Sequence, residues 1–215
     1  AMRDVYLEEF NKDSIVIAYG APEYKKSAIS HLKRFKITAN DYYLILGRLI
    51  PDNNADLIIK AHLESDSEKK LVIVGDVPYK DAYAENLKKL AGDKVRFIGY
   101  VTDPEELRAL YQHCFTYIHG HKFGGTNPAM LKAMSNNCAI LALDTRFNKE
   151  MLRNGELGLF FTENTASIIN AMKKLEKNPE FVEQLKAEVS SGLTEKYNWD
   201  SVTAAYQLAM STIYK

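Results

Sequence analysis

The chain has 215 residues, 46% hydrophobic and 26% charged, an ordinary globular composition that can bury a substantial core without staples. Its 28 basic and 28 acidic side chains cancel to a formal net charge of zero, which argues against a nucleic-acid binder. Cys114 and Cys138 sit in or beside apolar runs without metal-ligand spacing, so they read as buried free thiols of a reducing cytosol. No signal peptide opens the sequence, and no apolar run reaches the roughly 18 residues of a membrane span, so a cytoplasmic location is expected. The basic clusters Lys25-Lys26 and Lys33-Arg34-Phe35-Lys36 read as a solvated face, with peripheral contact to an anionic membrane as the alternative. The start Ala1-Met2 looks like a tag remnant, so an absent partner domain is expected.

In chain order, Ile15–Ala18 reads as a first strand, followed by a basic connector. Further strands are expected at 43–46, 71–74, 95–98, 115–118, 139–143 and 159–161. Several are apolar on both faces, as strands of a helix-covered parallel sheet must be. Helical stripes lie between them: Tyr83, Leu87, Leu90 and Ala91, then Leu107, Leu110 and Tyr111. Thr102-Asp103-Pro104-Glu105 has the form of a capping box with an early proline. The last third is helical, with stripes Ile168, Ile169, Met172, Leu175 and Phe181, Leu185, Val189. Asn178-Pro179 starts the second of these, and a final helix begins near Asn198 with Val202, Ala205, Tyr206, Ala209 and Ile213 on one face. The alternation implies a Rossmann-like, doubly wound α/β parallel sheet with helices on both faces. Residues 1–38 are assigned to the end of the absent partner domain and its connector, 39–197 to the sheet domain and 198–215 to a closing helix.

Ligands of such sheets bind at the carboxyl ends of strands. One such loop, Gly47-Arg48-Leu49-Ile50-Pro51-Asp52-Asn53-Asn54, places an arginine where its planar fork could bind an anion. Gly75, in Gly75-Asp76-Val77-Pro78-Tyr79, allows either close ligand approach or a plain turn. The loop His119-Gly120-His121-Lys122-Phe123-Gly124-Gly125-Thr126-Asn127-Pro128 is richer. Asn127 suits an N-cap and Pro128 a first helical residue, so the turn offers free N–H groups to a phosphate. His121 is the candidate for touching a sugar hydroxyl or phosphate, whereas His119 fits a hydrogen-bonded core residue equally well. The two histidines lack the further ligands a zinc site needs, so no metal is expected. Gly-x-Gly-x-x-Gly, a Walker-type loop and a serine nucleophile elbow are all absent, which sets aside dehydrogenase, P-loop ATPase and serine-hydrolase readings.

The segments YLILGRLIPDNNADLIIKAH, LVIVGD and VRFIGYVTDPEELRALYQHCFTY resemble successive parts of the family 4 glycosyltransferases. The stretch YIHGHKFGGTNPAMLKAMSNNCAILALDTRFNKEML is similar to a subgroup that includes bacterial rhamnosyltransferases. The match runs from about residue 42 to the C-terminus, with Gly-Gly-Thr-Asn-Pro as its most specific element. The resemblance implies the C-terminal, donor-binding half of a GT-B architecture, with the N-terminal acceptor-binding domain missing. It implies transfer of a hexosyl or deoxyhexosyl group from a nucleoside diphosphate to a glycan or lipid-linked glycan acceptor of an envelope polysaccharide. Retention of configuration is the implied outcome, with the isolated domain inactive on its own.

Carried over residue by residue, Arg48 matches the family arginine that holds the donor diphosphate. Asn53 stands where a lysine often sits, and Gly124 and Lys132 stand in the places of two glutamates, the second of which usually binds ribose. An ammonium can only donate hydrogen bonds, so Lys132 implies a different nucleotide hold, weak affinity or a non-catalytic relative. The expected donor site is Gly47, Arg48, Asn53, Gly75, Gly124, Gly125, Thr126, Asn127 and Lys132, with Arg48 and His121 closest to the chemistry. Arg48 and loop amides would stabilise the leaving diphosphate without a metal or other cofactor. The alternative is a non-catalytic nucleotide-sugar-binding or assembly subunit of the same fold.

Overall fold

A computed structural model describes residues 2–213, so Ala1, Tyr214 and Lys215, and with them part of the tag reading and the end of the closing helix, lie outside the described residues. Six parallel strands form one sheet: β1 (Tyr42–Leu46), β2 (Lys70–Val74), β3 (Val95–Gly99), β4 (Thr116–His119), β5 (Ile140–Leu143) and β6 (Leu159–Phe161). The helices are α1 (Met2–Phe10), α2 (Ala55–Glu64), α3 (Ala82–Lys88), α4 (Pro104–Gln112), α5 (Pro128–Ser135), α6 (Arg146–Met151), α7 (Thr165–Glu176), α8 (Pro179–Glu188) and α9 (Trp199–Ile213). Strand order is β3-β2-β1-β4-β5-β6. The chain winds outward from β1 to β3, then returns to lay β4 against the other side of β1. The doubly wound sheet expected from the alternating pattern is therefore what forms.

Period-two alternation divides the core in two. Tyr43, Ile45, Leu71, Ile73, Ile118, Leu141 and Leu143 face a layer containing Ile58, Ile59, Ile168, Met172 and Leu175. Tyr42, Leu44, Val72, Val74, Tyr117, Ile140 and Ala142 face one containing Leu110, Tyr111, Met130 and Met134. Both faces of β1, β2, β4 and β5 are thus covered, which is why these segments read as continuous apolar runs. Cys114 and Cys138 are buried free thiols, each donating to the Tyr111 carbonyl at 3.1 Å.

Three expectations need correction. Ile15–Ala18 is not a strand: Ile15 and Val16 are exposed and only Ala18 enters the core. β-branched residues favour extended backbone, but a strand also needs a partner edge, and this segment pairs with none. The helix expected through Leu90 and Ala91 stops at Lys88, leaving both residues exposed in the following turn. The cap of α4 is Asp103 rather than Thr102: its Oδ1 accepts from the N–H groups of Glu105 at 2.8 Å and Glu106 at 3.3 Å, with Pro104 in the first turn.

The connector is tied to the domain. A 3₁₀ turn, Ile29–Phe35, buries Leu32 and Phe35 in the second core layer. Ser27 bonds Gln112 and the Glu105 carbonyl, while Arg34 pairs with Glu106. α9 buries Val202 but leaves Tyr206, Leu208 and Met210 exposed. Trp199 lies so close to Gly20 that a Cβ there would meet its ring at 2.3 Å.

Candidate functional site

The reversal of strand order opens a crevice between the carboxyl ends of β1 and β4, the place where doubly wound sheets bind ligands. A cavity of about 220 Å³ lies there, lined by Gly47, Arg48, Asn53, His119, Gly120, His121, Asn127 and Ala129 among others. Close backbone packing forms its floor. A Cβ on Gly120 would meet the Asn53 carbonyl oxygen at 2.3 Å and Ile58 Cδ1 at 2.9 Å. A Cβ on Gly75, whose φ is +119°, would meet the Gly47 carbonyl oxygen at 2.1 Å. Gly75 is therefore glycine because it buttresses Gly47 from behind, and it does not line the cavity.

The β1 loop is cross-linked to the β4 loop at three points. Asn54, left-handed at φ 52°, donates from Nδ2 to the Gly120 carbonyl at 2.8 Å. The Lys122 N–H donates to the Asp52 carbonyl at 3.0 Å. Asn53 donates from Nδ2 to the Arg48 carbonyl at 2.7 Å, and its Oδ1 lies 2.7 Å from His121 Nδ1. Arg48 is exposed, lines the cavity and makes no ion pair among the described residues.

His119 is the core residue that one of its two readings described, and it also lines the cavity. It is 4% exposed; its Nδ1 is 3.0 Å from the Tyr117 hydroxyl, and its buried Nε2 has no partner. Burial, with a smaller contribution from neighbouring His121, pushes its pKa down to about 3, so it is neutral. His121 is half-buried and also shifted down. Desolvation is the main cause; Asp52 and the Phe123 carbonyl pull upward and Arg48 pulls downward.

The glycine loop behaves differently. Among the described residues, the N–H groups of Phe123, Gly124, Gly125 and Thr126 have no protein acceptor. The first amides of α5 are occupied: Asn127 Oδ1 accepts from Ala129 at 2.9 Å and from Met130 at 3.4 Å. The open donors thus belong to the loop, not to the helix end. Gly124 has φ +103°, and its hypothetical Cβ would lie 3.9 Å from His121 Nε2. Gly125 and Thr126 line a separate cavity of about 840 Å³ beneath α1 and residues 14–19. A Cβ on Gly125 would meet Met2 Cγ at 2.7 Å.

The structure therefore unites Gly47, Arg48, Asn53, His121 and Asn127 and adds His119 and Gly120, whereas Gly124, beside His121, does not line the cavity and Gly125 and Thr126 line the separate one. It sets Gly75 behind the site and Lys132, exposed on α5, outside the lining residues. The Asn54–Gly120 clasp was not anticipated; the only sequence signal was an Asn-Asn pair before a helix. Among the described residues, no group of three or more His, Cys, Asp or Glu side chains is placed to hold a metal. No helix among them is long and apolar enough to cross a membrane.

The crevice thus lies at a topological switch point, where doubly wound α/β domains bind their ligands, and Arg48 is among the residues that line it. Residues 12–190 match the glycosyl transferases group 1 family, and the chain belongs to it. It is 27% identical over 217 residues to an uncharacterized glycosyltransferase of Methanocaldococcus jannaschii, covering 96% of this chain and 55% of that protein. It is 25% identical over 198 residues to an O-antigen chain mannosyltransferase of Salmonella typhimurium, covering 89% of this chain and 54% of that one. The crystal structure of Anabaena HepE in complex with UDP-glucose shares the fold, with a TM-score of 0.77 at 16% identity over 92% of this chain and 56% of that one. The chain spans about half the length of these relatives.

Proposed function

We propose that this domain binds a nucleoside-diphosphate sugar in the β1–β4 crevice, as the donor half of a GT-B glycosyltransferase. A missing N-terminal domain would bring the acceptor, and the isolated domain would not turn over. The observation that carries the reading is the unpaired Arg48 guanidinium at the rim of a cavity that Asn127 also lines, beside a loop of unbonded amides. When the glycosidic bond breaks, negative charge grows on the diphosphate. The Arg48 guanidinium and the open loop amides would stabilise that charge, and no metal is invoked. HepE was crystallised with UDP-glucose, which supports a nucleotide sugar as ligand. The family resemblance implies retention, and the Salmonella relative's O-antigen substrate supports an envelope polysaccharide as product. The transferred group is a hexosyl or deoxyhexosyl unit, the latter resting on the rhamnosyltransferase-like loop. The exposed basic connector would let the enzyme sit on an anionic membrane where lipid-linked acceptors lie.

A second reading is a non-catalytic nucleotide-sugar-binding or assembly subunit. It is favoured by the absence of any carboxylate among the cavity-lining residues and by Lys132 in the ribose glutamate's place. Calorimetric titration with UDP, GDP and dTDP tests the first reading, which expects one of them to bind. Binding of none rejects both readings. Binding with no sugar transfer by the longer protein favours the subunit.

A further inference from the structure

The Asn53–His121 contact fixes more than a distance. The main-chain carbonyl of Arg48 can only accept, so the Asn53 group 2.7 Å from it must be the amide NH2. The amide oxygen therefore faces His121 Nδ1, also at 2.7 Å, and an amide oxygen can only accept. Nδ1 must then carry the ring proton. In the neutral ring Nε2 is left with its lone pair, a hydrogen-bond acceptor. No described group donates to it, and Gly124, the glycine nearest that atom, presents no side chain to cover it. The Arg48 guanidinium and the loop amides are donors, whereas the open Nε2 of His119 is buried and the Phe123 carbonyl, an acceptor beside the His121 ring, competes only for its proton. Donors suit phosphate oxygens, whereas an acceptor repels them and suits a hydroxyl.

We infer that Asn53 is a positioning residue that locks His121 as the Nδ1–H tautomer, so that His121 Nε2 accepts a hydrogen bond from a hydroxyl of the donor's sugar. The inference rests on the nucleotide-sugar reading of this site and adds to it how the sugar is told from bare nucleotide. The charged and titratable groups facing His121 are Arg48 and Asp52 from the β1 loop and His119 from β4, with the Phe123 carbonyl on its own loop. Lys122, also on that loop, is paired with Glu163. Protonation of His121 turns Nε2 into a donor, so the hydrogen bond that the sugar hydroxyl donates to it is lost as pH falls and is present at neutral and higher pH.

Two measurements test this. Nitrogen-15 imidazole spectra of the ligand-free protein should place the His121 proton on Nδ1, and Asn53→Ala should release it toward the Nε2–H form. A wild-type Nε2–H tautomer overturns the inference without touching the nucleotide reading. Second, take whichever of UDP, GDP and dTDP binds, with its glucose conjugate, and measure the ratio of the two dissociation constants. His121→Asn, which lacks an atom at the Nε2 position, should lower the preference for the conjugate at least threefold, roughly one neutral hydrogen bond, while the bare nucleotide still binds. His121→Gln should restore part of it. Asn53→Asp should move the loss of preference to higher pH, because a carboxylate beside the ring favours its protonated form. An unchanged preference in His121→Asn with intact nucleotide binding contradicts the inference. Failure of all three nucleotides to bind removes the nucleotide reading and this inference with it.

Discussion

The two loops that flank the crevice solve opposite problems. The β1 loop has its asparagines tied down: Asn53 bonds the Arg48 carbonyl and His121, Asn54 bonds Gly120, and Gly75 packs hard against its backbone. The glycine loop is pinned toward its ends, by Lys122 on the Asp52 carbonyl and by the Asn127 cap, and its middle amides have no acceptor among the described residues. One wall is finished without a ligand, while the other leaves hydrogen bonds for a ligand to complete. The backbone of the arginine belongs to the finished wall, while its exposed, unpaired side chain is left for a ligand to order.

Substitutions on the two walls should therefore differ sharply in stability. Gly75→Ala combines a backbone clash with an unfavourable φ, and we expect a loss of about 3 kcal/mol in urea unfolding. Gly125→Ala meets only the movable Met2 side chain and should cost less than about 1 kcal/mol. Equal losses would break the contrast. A second effect is pH-dependent. The pKa of His119 lies at about 3 in the fold, below its ordinary value, so the unfolded chain binds a proton that the folded chain refuses. Stability is intact above about pH 6.5 and falls as pH drops below it, by up to about 1.4 kcal/mol per pH unit for this group. His62 and His121, also shifted down, act in the same direction. Urea unfolding between about pH 7 and pH 5 reads this slope, and His119→Phe should flatten it. The smallest effect is expected at Lys132: Lys132→Glu should change nucleotide affinity less than about twofold, because the side chain is exposed and outside the cavity lining. A tenfold tightening would instead mark this place as a lost ribose contact.

The sheet was legible because burial on both faces forces short apolar runs, and six of the seven expected strands form. Ile15–Ala18 misled because local preference says nothing about whether a sheet edge is available to pair with. Arg48, His121 and Asn127 could be read from their place at strand ends and a helix start. The Asn53–His121 and Asn54–Gly120 links could not, since they join residues 68 and 66 apart in sequence and exist only once β4 folds back beside β1. Gly75 was ambiguous for a similar reason: a glycine that admits a ligand and one that admits a neighbouring backbone look the same in sequence.

Calorimetry of wild type and Arg48→Ala with the nucleotide that binds is the most direct test of the account. We predict at least a tenfold loss of affinity, about 1.4 kcal/mol, with folding unchanged, since the guanidinium is exposed and unpaired. Equal affinity in the two proteins would contradict the account and remove Arg48 from the site.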